Sequence, residues 1–282
     1  MSAAVVLRPR VAPVDLVRIA RLLPAQIALS QLVYWKDIAF ALVGAVMPLA
    51  LGLLPAALAD ADARIGAVPA RAWLLAGGLS VAVVFVVYNV INSAARRREQ
   101  RIYKRLRCAP VPAHAVLLGE AISASIPAVV QVAVIVVAGR LWLGVDWPAN
   151  GPLLLVVVGV GLISLTMLAF GVSGLLPSGE VATWIVTPVL AALLYFSGAF
   201  GALPDNPVLT AVHPYIPSAE IVDTVRTAYL GHAVTGQTLG HEVGLTGGFA
   251  TTWHALVLLL VWAAGGLMLF NSFFRWDPRS SR

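Results

Sequence analysis

Apolar residues in this chain fall in long, nearly unbroken stretches, without the two-residue alternation of a half-buried strand or the 3.6-residue period of a surface helix. Six stretches are long enough, and free enough of charge, to cross a hydrocarbon core as helices: about 38–58, 72–92, 116–138, 153–176, 181–200 and 254–274. Their only charged member is Glu120, one turn inside the third stretch, where its carboxylate is expected to reach the interface. No charge is expected at the bilayer centre. Ahead of the first stretch the pattern changes. Asp15, Arg18 and Arg21 share one helical face and Leu16, Ile19, Leu23 and Ile27 the other, which predicts an amphipathic helix lying at the membrane surface, a partly disordered basic tail being the alternative. The prediction is an all-α polytopic membrane protein: an N-terminal segment 1–37 followed by a six-helix domain 38–282.

The connections differ in kind. Most are short, but residues 201–253 form a long segment between spans five and six, with Leu203, Val208, Leu209, Val212, Ile216, Ile221, Val222, Val225 and Leu230 set among prolines and glycines. A solvated loop has no need of these apolar residues, so part of it is expected to dip into the outer leaflet or to pack over the bundle as short helices. Pro48, Pro127 and Pro188 mark expected kinks.

Composition narrows the class. With 60% apolar and 11% charged residues and a mean hydropathy of +0.88, a water-soluble enzyme is excluded. The single cysteine, Cys108, excludes an intrachain disulfide and a cysteine metal cluster. Net charge is +6, and the basic residues are unevenly placed: with the N-terminus inside, fifteen fall on inner segments and four on outer ones, so both termini and the 95–115 loop are expected in the cytoplasm and the 201–253 segment outside. Residues 1–37 hold five basic residues and no apolar run ahead of a small-residue cleavage site, so no cleavable signal peptide is expected. Trp35, Trp73, Trp142, Trp147, Trp184, Trp253 and Trp276 lie near span ends, as an interfacial belt requires, and only Trp262 sits mid-span.

Candidate chemistry is sparse. The basic loop Arg96–Arg107, read as a helix, presents Arg97, Arg101, Lys104, Arg105 and Arg107 as a cationic surface, with Ile102 and Leu106 on another face. It reads as an anchor on anionic lipid or as a short helix docking into a partner protein; a nucleic-acid site lacks any domain to present it. Polar residues within spans that are candidates for lining a path are Asn89, Asn92, Gln131, Thr166, Thr183, Thr187, Tyr195 and Ser197, though such groups commonly bond between helices. His114, His213, His232, His241 and His254 show no metal-ligand spacing, leaving only the outer pair His232 and His241 as a conceivable site, and no metal is expected. Gly171-Val172-Ser173-Gly174 resembles the Gly-x-Ser-Gly of rhomboid intramembrane proteases, with His254 as the base. The topology sets these two residues about 30 Å apart, and a close glycine-mediated helix contact is the competing role. A proton-coupled secondary transporter is the other alternative, against which the absence of deep carboxylates or histidines argues.

After span two, Glu99, Leu106, Ala109 and Pro110, followed by Leu117-Leu118-Gly119, resemble the loop pattern of ABC-2 type transporter permeases, Glu-x-Gly-x4-Leu-x2-(Thr/Ala)-Pro, with Arg101 where that family carries glycine. Phe196-Ser197-Gly198 and Leu203-Pro204 are similar to its Ser-Gly and Leu-Pro elements, and Pro217, Asp223 and Arg226 to its Pro-x5-Asp-x2-Arg stretch. The resemblance implies the membrane half of an ATP-driven exporter of hydrophobic or amphipathic cargo (drug, antibiotic or lipid-like) in a bacterial plasma membrane. It further implies a second permease subunit, identical or not, and two copies of an ATP-binding subunit that hold ATP and Mg, no cofactor being expected in this chain. Glu99, Ile102, Leu106, Arg107 and Pro110 are then the residues expected to couple to the ATPase. The sequence agrees in one respect: its only lysines, Lys36 and Lys104, do not stand in a Gly-Lys-(Ser/Thr) context, so the chain carries no Walker A site of its own.

Overall fold

The computed structural model describes residues 16–103, 105, 113–176, 178–201, 203, 206–236 and 238–273. Helix α1, Leu16–Lys36, is the amphipathic segment: Ile19, Ser30 and Tyr34 are buried while Arg21 and Trp35 face outward. Gln31 Nε2 donates to Ser123 Oγ at 2.9 Å and so ties it to the third span. The chain bends at Asp37, whose carboxylate accepts from the Phe40 N–H at 3.1 Å and caps α2, Ile38–Leu58. A two-residue hairpin, β1 (Arg64–Ile65) with β2 (Val68–Pro69), leads into α3, Ala70–Val84, and α4, Val86–Glu99, which together form the second span with a one-residue interruption at Phe85. Then follow α5 (Ala113–Trp142), α6 (Gly151–Ser173) and α7 (Gly179–Phe196). The long connection folds into α8 (Pro207–Val212), a 3₁₀ turn at His213–Tyr215, α9 (Pro217–Leu230) and the hairpin β3 (His232–Thr235) with β4 (Thr238–Glu242) before α10, Leu245–Phe273.

All six predicted spans are present, with ends within about ten residues of those read from hydropathy. The fold is therefore all-α and polytopic, with two small hairpins that lie outside the spans. Helices α2, α5 and α7 run uninterrupted through Pro48, Pro127 and Pro188.

The second span is the axis of the bundle: its most apolar window is 94% buried, against 28% for α2 and α7 and 17% for α10. Helices α2, α5, α6, α7 and α9 pack around it, and α10 lies outside, against α6. Apolar burial gives no advantage over lipid in a membrane, so close approach of backbones has to hold such helices together. Gly52 and Gly78 provide it between α2 and α3, because a Cβ on Gly78 would run into the Gly52 carbonyl; Gly266 does the same between α10 and the Met167–Leu168 backbone of α6. Helices α6 and α10 run parallel, since Asn150 Nδ2 donates to the Leu245 carbonyl at one end and Gly171 abuts Leu269 and Phe270 at the other.

Candidate functional site

Consecutive helical residues point about 100° apart, so three successive arginines at the end of α4 face three different neighbours. Arg96 pairs with Asp37 at the elbow between α1 and α2 and lies over the Phe40 ring at 5.1 Å. Arg97 turns inward: its Nε lies 3.5 Å from Glu120 Oε1, and its Nη1 donates to Ser30 Oγ at 3.0 Å. Arg98 donates to the carbonyls of Ser173, at 2.9 Å, and Leu176, covering the end of α6. Glu99 then accepts from the Gly179 N–H at 3.0 Å, adding a negative charge to the N-terminus of α7.

The expected cationic surface is therefore corrected. Arg97 is buried, and of the described arginines in the loop only Arg101 and Arg105 are exposed. Glu120, one turn inside the third span, is 1% exposed and is held within the bundle. Its carboxylate accepts from Ser93 at 2.8 Å and from the buried Tyr103 hydroxyl as well as facing Arg97. A carboxylate without partners at that depth would cost several kcal/mol, and this set of partners is what permits it. Burial, and then the Glu120 carboxylate, hold the Tyr103 phenol well above its ordinary range, so it serves as a donor. Arg101 is, among the described residues, the only non-glycine with a left-handed backbone, at φ +56°. It occupies the position where the ABC-2 loop pattern has glycine. Ile102 is half-buried, whereas Leu106, Arg107 and Pro110 lie outside the described residues.

A second polar cluster forms at the opposite end. Arg226 on α9 is fully buried, with its guanidinium 4.1 Å from the centre of the Trp73 ring and Nη2 donating to the Gly198 carbonyl at 2.8 Å. Trp73 is thus a buried cation–π partner and not a member of the interfacial belt. Trp35, Trp142, Trp147, Trp184 and Trp253 are exposed, as that belt requires. Gly77 leaves room for this contact, because a Cβ there would strike the Ala199 carbonyl. Asp223 accepts from the Gly236 N–H at 2.7 Å, with His213 Nδ1 4.0 Å away, and Pro217 begins the helix buried. Burial moves Arg226 down to about 10, and burial with Asp223 nearby moves Glu220 up to about 7. The 201–253 segment does pack into the bundle as short helices. Its tip reaches far inside: Trp262 Nε1 donates to the Tyr215 carbonyl at 3.1 Å, and Trp262 is roughly 25 Å along α10 from Leu245. Charges that the six stretches lack are therefore brought into the bundle interior by this segment.

The other candidates divide. Asn92 accepts from the Thr183 hydroxyl at 2.6 Å, joining α4 to α7, and Gln131 donates to the Gly44 and Ala45 carbonyls, joining α5 to α2. Asn89 is buried against Gly44, and Ser197 donates to the Leu194 carbonyl at 2.8 Å. All four are buried inside the bundle, whereas Thr187 and Tyr195 stand on the exposed face of α7. Ser173 and His254 are not brought together. Parallel packing of α6 and α10 sets them about 20 Å apart along the axes, and Ser173 Oγ donates to the Phe170 carbonyl. Gly171 instead makes the close contact with α10. In the β3–β4 hairpin, His232 faces Glu242 and not His241.

Arg226 thus joins the Ser197-Gly198 corner to the Pro217–Arg226 stretch, two elements that lie apart in the sequence and meet in the fold. The profile of the ABC-2 type transporter family matches residues 26–230, from α1 to the last residue of α9. The chain belongs to the ABC-2 type transporter family. It is a transporter membrane component and a multi-pass protein of the cell membrane. No curated protein matches the chain. Asp37, Ser30, Tyr103 and Trp73, which complete the two clusters of this ABC-2 protein, gave no periodic or motif signal. The lone acid Glu120 within a span was the one hint that a buried cation had to be near.

Proposed function

We propose that this ABC-2 chain is the permease subunit of an ATP-driven exporter for hydrophobic or amphipathic cargo. It works as two permease subunits with two copies of an ATP-binding subunit docked at the end where α4 leaves the bundle. The observation that carries this reading is the way that end is tied. Arg98 to α6, Glu99 to α7, and Arg97 and Tyr103 through Glu120 to α5 connect the 97–103 segment to three spans at once. A partner pressing on that segment would move those helices together, which is what coupling ATP hydrolysis to a pathway requires. Arg101 and Arg105 remain exposed for polar contact, and the sequence supplies Leu106 for apolar contact. Amphipathic cargo is supported by the exposed face of α7, where Trp184, Ile185 and Val189 accompany Thr187 and Tyr195. A proton-coupled carrier is less well supported, because Glu120 is paired with a cation.

The test is copurification followed by an ATPase assay. The chain alone is expected to hydrolyse no ATP, and with its partner a subunit bearing a Walker A site should be recovered. Burying a leucine at the joint contributes about 1.5–3 kcal/mol, so Leu106→Asp should weaken assembly by about one to two powers of ten. Glu99→Ala should affect cargo-stimulated hydrolysis more than assembly. Wild-type assembly and wild-type hydrolysis in correctly inserted Leu106→Asp protein would sink the docking assignment.

A further inference from the structure

Where α1 meets α2, the fold leaves a half-open cavity of about 500 Å³ lined by Val33, Tyr34, Lys36, Asp37, Phe40, Ser93, Arg96, Arg97 and Gln100. Its walls fix its depth. They are the last turn of α1, the first turn of span one and the last turns of span two, so the cavity sits where spans end, in the headgroup layer. Its charge is unbalanced. Arg97 is answered by Glu120 behind it and Arg96 by Asp37, which leaves Lys36, exposed at the rim, as one surplus cation. Donors are also in surplus. Arg96 gives Nη1 to Asp37, while among the described residues its Nε and Nη2 make no hydrogen bond, and the Gln100 amide is likewise unused. Directly along α2 from the cavity, Ile38, Leu42 and Val46 lie exposed at four-residue spacing on an apolar face that also carries Val43 and Met47.

We propose that this cavity binds the headgroup of one anionic phospholipid, with its phosphodiester held by Lys36, Arg96 and Gln100 and an acyl chain lying along Ile38, Leu42 and Val46. One net negative charge matches the one surplus cation. A zwitterionic choline headgroup would bring a second cation against Lys36 and Arg96, so the site discriminates by charge. The aromatic wall of Tyr34 and Phe40 holds the glycerol level, where rings and headgroups meet. The bound lipid bridges the α1–α2 elbow to the end of α4, beside the segment assigned to coupling, but the proposal does not depend on that assignment.

Native mass spectrometry of the full-length chain in detergent, titrated with dioleoyl phosphatidylglycerol or dioleoyl phosphatidylcholine, tests it directly. One phosphatidylglycerol per chain should be retained at about tenfold lower lipid concentration than phosphatidylcholine. Lys36→Gln with Gln100→Glu changes two exposed side chains and no internal tie, and should lower phosphatidylglycerol retention about tenfold. Arg71→Gln, at the far end of the bundle, should change nothing. Equal retention of the two lipids overturns the proposal, as does wild-type retention by the double variant. Displacement of the lipid by millimolar glycerol 3-phosphate would show a free-phosphate site in place of a lipid one and would also overturn it.

Discussion

Arg101 carries a conformational cost that its neighbours impose. A left-handed backbone costs a residue with a β-carbon about 1–2 kcal/mol, and glycine pays none of this. Arg101 adopts it because α4 ends at Glu99, which must reach Gly179, while Tyr103 must turn back to Glu120 two residues later. Arg101→Gly is therefore expected to stabilise the folded protein by about 0.5–1 kcal/mol, the relief of strain being partly offset by the greater freedom of glycine in the unfolded chain. Thermal unfolding in detergent checks it, and a lower midpoint for Arg101→Gly would mean that the guanidinium makes a compensating contact. The departure at this position was legible in the sequence, but the left-handed turn was not. The same holds for Arg97, which leaves the loop's other cations because successive helical residues diverge by about 100°. Only one of three consecutive arginines can then face the lone acid on α5, and the structure selects Arg97.

Among elements, the spans were legible and α9 was not, for one physical reason. A hydrocarbon solvent forces a spanning helix to be long and uncharged, which hydropathy detects directly. Helix α9 is surrounded by protein, where polar groups need only find partners, so it carries Glu220, Asp223 and Arg226 while lying almost wholly buried. Its membership of the bundle shows only in its apolar residues, which hydropathy cannot separate from loop noise. Burial has a consequence at Glu220, whose pKa rises from 4.5 to about 7, first through desolvation and then through Asp223. In the folded state this carboxyl holds its proton more tightly than in the unfolded chain. The associated stability is fully present below pH 4.5 and is lost as pH rises through about 7. The unfolding midpoint should therefore fall between pH 5 and pH 8, by less than the full shift implies, because the side chain is partly open to solvent. Glu220→Gln should flatten that part of the profile. An identical slope in wild type and Glu220→Gln would show that Glu220 does not carry this pH dependence.

At the scale of the whole molecule, the described cations other than Arg18 and Arg21 on α1 and the buried Arg226 divide between two ends. Lys36, Arg96, Arg97, Arg98, Arg101 and Arg105 gather where α1, α4, α5 and α7 meet, whereas Arg64, Arg71 and Arg140 lie at the hairpin end among Asp60, Asp62, Asp146 and Glu242. The fold agrees with the alternating path that the charge count assumed. The ends of α4 and α6 and the starts of α2, α5 and α7 all converge on the first group through hydrogen bonds and ion pairs. Cations are retained on the cytoplasmic side during insertion because moving them across the bilayer is costly. That the cationic end faces the cytoplasm is a statement about insertion, so chemical labelling in intact cells decides it. Cys108, the only cysteine, follows the basic segment and should resist a membrane-impermeant maleimide. In a Cys108→Ser background, Asp205→Cys, in the connection between α7 and α8, should react readily. Permeabilising the cells should then expose Cys108. Reaction of Cys108 from outside, in cells shown to be sealed, would reverse the molecule in the membrane and move the coupling segment to the side where no ATP-binding subunit can reach it.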